Sequence, residues 1–241
     1  SVSQMAHIRL GTRQEGRNPL IKDFAPLASL DDIVFGGWDP ISANALEAAR
    51  TCGVLEEKDL SPIAQELEGV VAMDAVFDQK WVSRLEGTRV KSETNKWDQA
   101  MALMADIENF KVENECDRLV MVWCGSTEAF QEPSAVHETV AAFEQGLKDN
   151  DDNISPSQIY VYAALQSDVP FANGAPNLST DLPCMQELSH TRGVPIAGKD
   201  FKTGQTLMKT LLAPGLKARM LGLRGWYSTN ILGNRDGEVL D

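Results

Sequence analysis

Short apolar runs that alternate with helix-period segments constrain this chain more than any other feature. "GVVAM", "RLVMVWCG", "QIYVYAAL" and "VPIAG" are each too short for a buried helix of normal length and read as strands. "RLVMVWCG" is continuously apolar, the pattern of a parallel strand covered on both faces. "DDIVFGGWDP" reads as a strand ending in a glycine-rich turn. Strand–helix–strand order repeated along a chain implies an α/β fold, here a parallel sheet with helices on both faces.

The intervening segments carry helix signals. "SANALEAARTCG" is a helix closed by Gly53, and "SPIAQELEG" starts with Ser61 as N-cap and Pro62 at the first helical position. From Thr94, Trp97, Met101, Met104, Ile107 and Phe110 recur at three- and four-residue spacing, one stripe of a long helix. Ser134 caps "AVHETVAAFEQGLKDN", and Gly193 follows the helix "LPCMQELSHTRG". Thr203 opens a helix that Pro214 ends or kinks, and "LGLRGWYSTNIL" reads as a longer strand. That last strand is more polar than the others, which places a domain boundary near Thr203.

The net charge of −13 argues against a nucleic-acid binder, because phosphate neutralisation needs clustered cations. A small anionic substrate needs only a few local ones. No apolar run reaches the roughly 20 residues of a membrane span. Cys52, Cys116, Cys124 and Cys184 form no CxxC pair, so reduced thiols in a cytoplasmic protein are expected. "SVSQMAHIRLG" lacks a signal peptide's layout and an initiator methionine, so the chain is expected to start inside a longer product.

Ligands of open parallel sheets bind beyond the carboxyl ends of the strands. Those ends carry Gly37-Trp38-Asp39, Cys124-Gly125-Ser126-Thr127, Asn173-Gly174-Ala175-Pro176-Asn177 and Gly198-Lys199-Asp200, with Asn230 and "GNRDG" after the last strand. Small residues there let a ligand approach the backbone. Asp39 either accepts ribose hydroxyls, which would favour NAD over NADP, or makes local turn bonds. No G-x-G-x-x-G follows a strand. Thr203, Gly204, Gln205 and Thr206 form either a phosphate-binding first turn with Lys199 and Lys202 nearby, or an ordinary capped helix. Asn230, Asn234 and Asp236 suit sugar hydroxyls or a hard cation, though not at EF-hand spacing, and equally suit a plain turn. His7, His137 and His190 stand apart without metal-ligand spacing, and Trp81, Trp97 and Trp226 read as core aromatics.

Five segments in this order, "GGWDP", "VWCGSTE", "FANGAPN", "GKDFKTGQT" and "NILGNRDGE", resemble the inositol-3-phosphate synthase family along nearly the whole chain. The resemblance implies a Rossmann-like NAD-binding domain over residues 1–202 and the start of a second, α/β catalytic and tetramerisation domain over 203–241. It implies cyclisation of D-glucose 6-phosphate to 1L-myo-inositol 1-phosphate by oxidation at C5, enolisation, intramolecular aldol closure and reduction, with a divalent cation or ammonium open as enolate partner. Carried over by position, Asp39, Ala75, Val76, Arg89, Cys124, Gly125, Ser126, Thr127, Gly174, Ala175, Asp200, Thr203, Asn234, Arg235 and Asp236 contact NAD. Thr203, Gly204, Gln205 and Thr206 hold the substrate phosphate, and Asp200, Asn230, Asn234 and Asp236 serve catalysis. Cys124 and Gly125 stand where the family more commonly has Thr and Ala, so contacts there fall to the backbone. Arg235 replaces the usual second Asn.

The resemblance further implies a cytoplasmic homotetramer serving inositol and phospholipid synthesis. The family's glycine-rich pyrophosphate turn is expected before Ser1 and its essential lysines after Asp241, so these 241 residues alone are expected to be inactive. Two other readings stay open: another NAD-dependent oxidoreductase, or a non-catalytic module that binds a nucleotide or sugar phosphate.

Overall fold

The computed structural model describes residues 25–201 and 205–226. The chain divides into two compact units, Ser1–Phe35 and Gly36–Asp241. The described part of the first holds one 3-10 turn, Leu30–Asp32. Asp31 and Asp32 therefore belong to a turn, and the strand expected over "DDIVF" does not form. The strand lies after the glycines instead, at β1 (Trp38–Asp39).

In the second unit β1 leads into α1 (Ala45–Cys52), the short α2 (Glu57–Leu60) and α3 (Ala64–Glu68), then β2 (Met73–Asp74). Asn44 caps α1 through the backbone N–H of Glu47, whose carboxylate takes the Asn44 N–H in return. Gly53 ends the helix at φ 62°, as the sequence predicts. Ser61 is not the expected N-cap. It begins a 3-10 turn, Ser61–Ile63, and its hydroxyl donates to the carbonyl of Glu57, the first residue of the preceding helix. β1 and β2 run parallel, Trp38 opposite Met73 and Asp39 opposite Asp74. Val70 and Val71, the apolar start of "GVVAM", are exposed, and Val71 makes only an isolated bridge to Asn44.

The remaining elements are α4 (Lys96–Glu113), β3 (Met121–Trp123), α5 (Val140–Lys148), α6 (Pro156–Gln166), β4 (Phe171–Asn173), α7 (Pro183–Arg192), β5 (Ile196–Ala197) and α8 (Gln205–Ala218). Asn95 caps α4, accepting from the Trp97 N–H. Ser134 opens only the 3-10 turn Ala135–His137, and Thr139 caps α5. Pro214 neither ends nor splits α8, which runs on to Ala218. Leu221–Trp226, the described part of the expected last strand, has no regular structure, and Trp226 is exposed rather than core.

The largest correction is "QIYVYAAL", which is helix α6 and not a strand. Ser155 is extended, Pro156 sits at the first helical position, and the Ser155 N–H donates to Gln158 Oε1 at 3.1 Å. Every residue from Pro156 to Leu165 is buried, so no amphipathic period marks the helix. Its Ile, Val and Tyr cost a helix at most about 0.7 kcal/mol each in propensity. Burying each large apolar side chain returns about 1.5–3 kcal/mol, so packing against α4 and α7 wins.

The parallel strands form two sheets, β1-β2 and β3-β4-β5, without a ladder between them. Trp123 pairs with Asn173, and Phe171 with Ile196. β3 is not covered on both faces: Met121 and Trp123 pack on the core, while Val122 is 48% exposed. Side chains link the sheets. The Tyr160 ring of α6 lies 5.3 Å from Trp38 and 5.3 Å from Trp123, centroid to centroid, and its hydroxyl accepts the Val76 N–H at 2.9 Å.

Candidate functional site

The carboxyl ends of β1, β2 and β3 open into one cavity of about 570 Å³, within the range of small-molecule sites. Its wall is Trp38-Asp39-Pro40-Ile41 from β1, Ala75-Val76-Phe77-Asp78 from β2 and Met121 to Ser126 from β3, closed by Glu128 and by Pro156 and Tyr160 of α6. Of the residues singled out in the sequence, the fold thus gathers Asp39, Ala75, Val76, Cys124, Gly125 and Ser126 around one hollow. The paired registers Trp38–Met73 and Asp39–Asp74 end β1 and β2 at one level, and Tyr160, packed against both Trp38 and Trp123, brings the end of β3 beside them.

Asp39 Oδ1 accepts the Ile41 N–H at 2.8 Å, the local turn bond. That leaves Oδ2 available at an exposed site, so the turn and a ligand role are compatible. Ala75 and Val76 are buried floor. Burial raises the Cys124 thiol pKa, which favours its protonated form.

Thr127 is half-buried between Ser126 and Glu128, outside the cavity wall. Arg89 also lies outside the wall: its Nη1 donates to the Ala72 carbonyl at 2.6 Å, and its backbone N–H donates to Pro40 O at 2.8 Å. Gly174 sits against β3, its N–H donating to Trp123 O at 2.9 Å, and a Cβ there would meet that same oxygen at 2.5 Å. Buried Ala175 follows it, its N–H bonded to Asn173 Oδ1 at 3.0 Å. Gly198 turns out of β5 at φ 89°, and Asp200, exposed, takes φ 83°, a conformation costly for a residue with a side chain. Lys199 pairs with Asp181 at 2.8 Å. Gln205 and Thr206 lie in the first turn of α8. Thr203, Gly204, Asn230, Asn234, Arg235 and Asp236 fall outside the described residues.

With the rim assembled, comparison with known proteins decides the family. Residues 1–224 match the family model described as myo-inositol-1-phosphate synthase, an NAD-binding domain. The chain belongs to the myo-inositol-1-phosphate synthase family. It is 52% identical over its whole length to inositol-3-phosphate synthase 1 of Bacteroides thetaiotaomicron, and covers 56% of that protein. Identity to inositol-3-phosphate synthase of Citrus paradisi is 33% over 98% of this chain and 47% of the relative. The crystal structure of inositol-3-phosphate synthase from Caenorhabditis elegans superposes with a TM-score of 0.80 at 27% identity, covering 89% of this chain and 44% of that one. The chain therefore spans about half the length of these synthases.

Sequence reasoning missed the supports of this synthase-family rim. Tyr160 was hidden by the strand reading of its helix. Glu128 directly follows the "CGST" loop, yet nothing local marks it as 8% exposed. Burial raises its pKa, opposed by hydrogen bonds from Ser157 and Ser155. Among the described residues no group of three or more His, Cys, Asp and Glu is placed to hold a metal, and no helix is long and apolar enough to cross a membrane.

Proposed function

We propose that the chain forms the NAD-binding core of an enzyme that cyclises D-glucose 6-phosphate to 1L-myo-inositol 1-phosphate. The convergence of Asp39, Ala75, Val76 and the 124–126 backbone on one cavity at the strand ends carries the reading. These residues fit a dinucleotide: an exposed carboxylate with one open oxygen, an apolar floor, and a glycine-containing loop with exposed backbone. Asp39 accepts ribose hydroxyls through Oδ2 and repels a 2′-phosphate, selecting NAD over NADP. Cys124 to Thr127 offer backbone groups, and Gly174 and Ala175 extend the same rim.

The chemistry NAD supplies when bound is reversible hydride acceptance at C5 of the sugar, with no net redox change. The first turn of α8, with Thr203, Gly204, Gln205 and Thr206, holds the substrate phosphate through helix N-terminal donors. Asp200, Asn230, Asn234 and Asp236 orient hydroxyls and charge, with Arg235 beside them. The enolate partner is a divalent cation or ammonium. We place the enzyme in the cytoplasm as a homotetramer that supplies inositol for phospholipid synthesis.

The test incubates the protein from the complete reading frame with glucose 6-phosphate and NAD and follows inositol 1-phosphate by phosphorus NMR. Product without net NADH is expected. Steady growth of NADH absorbance would identify an ordinary oxidoreductase, and NAD binding without product a non-catalytic module.

A further inference from the structure

Glu128 is a buried carboxylate that the fold spends on holding a loop. Its Oε1 accepts the Ser157 N–H at 2.8 Å and its Oε2 the Ser157 hydroxyl at 2.6 Å, both in the first turn of α6. Helix N-termini favour negative charge, which offsets part of the desolvation penalty. On its main-chain side, the Glu128 N–H donates to Asn177 Oδ1 at 3.0 Å, and Asn177 Nδ2 donates to Ser126 O at 3.4 Å. Asn177 is itself 5% exposed and fixed by Asn173, the last residue of β4, whose Nδ2 donates to the Asn177 carbonyl at 2.9 Å. The loop after β3 is thus gripped from two directions, by a helix start and by the loop after β4.

We infer that Glu128 and Asn177 are positioning residues that hold the 124–127 backbone ready for the dinucleotide. The inference rests on the NAD reading above. A flexible loop of this kind would have to be ordered at the moment of binding, and preorganisation removes that cost. Neither side chain needs to touch the cofactor. Glu128 acts through the backbone of the loop, Asn177 through the two groups it joins.

The test uses the protein from the complete reading frame and measures the Kd for NAD by calorimetry, with the melting temperature of the cofactor-free protein recorded alongside. Gln at position 128 can still accept the Ser157 N–H and donate to its hydroxyl, so E128Q is expected within about threefold of wild type. E128A and N177A each remove bonds to buried partners and are expected to weaken NAD by about tenfold or more while remaining folded. Folded E128A or N177A with wild-type affinity overturns the inference, as does E128Q failing as badly as E128A. Should E128A not fold, N177A decides: unchanged affinity overturns the inference, and weakened affinity supports it. Wild-type protein that binds no NAD overturns the functional reading and this inference together, whereas altered binding confined to variants separates the two.

Discussion

The indole N–H of Trp38 donates to Asp106 Oδ2 at 2.7 Å, fastening β1 to α4 across 68 positions of sequence. The same oxygen takes the Lys91 ammonium at 2.7 Å, and the two charged side chains are only 10% and 22% exposed. One carboxylate thus fixes the strand that carries Asp39. Replacing Asp106 with Ala leaves a mostly buried cation and an indole donor without their acceptor, and is expected to cost about 3 kcal/mol. Urea denaturation of wild type and D106A measures this, and a loss under about 1 kcal/mol would show the pair to be ornamental.

Asp39 should set cofactor choice. D39A removes a charged acceptor and is expected to weaken NAD by about tenfold or more while relieving repulsion of NADP. Calorimetric titration of both cofactors gives the ratio. An unchanged NAD affinity would reduce Asp39 to its turn bond with Ile41.

At Gly174 the space is already taken. A Cβ would stand 2.5 Å from Trp123 O and 2.3 Å from the Phe201 ring, and the first of these is backbone that a rotamer change cannot move. G174A is expected to lose about 1–3 kcal/mol of unfolding free energy, measured by urea denaturation, through forced separation of β3 and β4. Equal stability would mean the strands are looser than their pairing shows.

Glu128 makes stability depend on pH in a definite direction. Burial raises its folded pKa above the ordinary 4.5, so the native state holds a proton that the unfolded chain has released. Its contribution is fully present below 4.5 and is lost as pH rises through the raised folded value. Wild-type unfolding free energy should therefore fall relative to E128Q as pH climbs from 4 toward neutrality. Parallel pH profiles for the two proteins would contradict a raised pKa.

The helix signals in this chain were legible because they are local. Gly53 ends its own helix, and the Trp97–Ile107 stripe repeats at fixed spacing. "QIYVYAAL" was not legible, because a helix buried on every side has no polar face to reveal its period. Ser155, Pro156 and Gln158 were the available signal, and they were outweighed by β-branched and aromatic residues. In the site, Asp39, Cys124, Gly125 and Ser126 were found by their position after short apolar runs. Glu128 and Tyr160 were not, since what qualifies each is a partner 29 or 84 residues away, and Asn177 was placed on the rim without its bond to Glu128, 49 residues away.

By itself the sequence determined the α/β class, the glycine ends of two helices at Gly53 and Gly193, and the family, since these depend on neighbours within a few residues and on motifs kept in order. Only the tertiary structure decided which strand face stays open, which apolar run is a helix, and which buried carboxylate grips the loop after β3. Those outcomes depend on what packs against each residue from elsewhere in the chain, and burial, charge and hydrogen bonding are set by those distant partners.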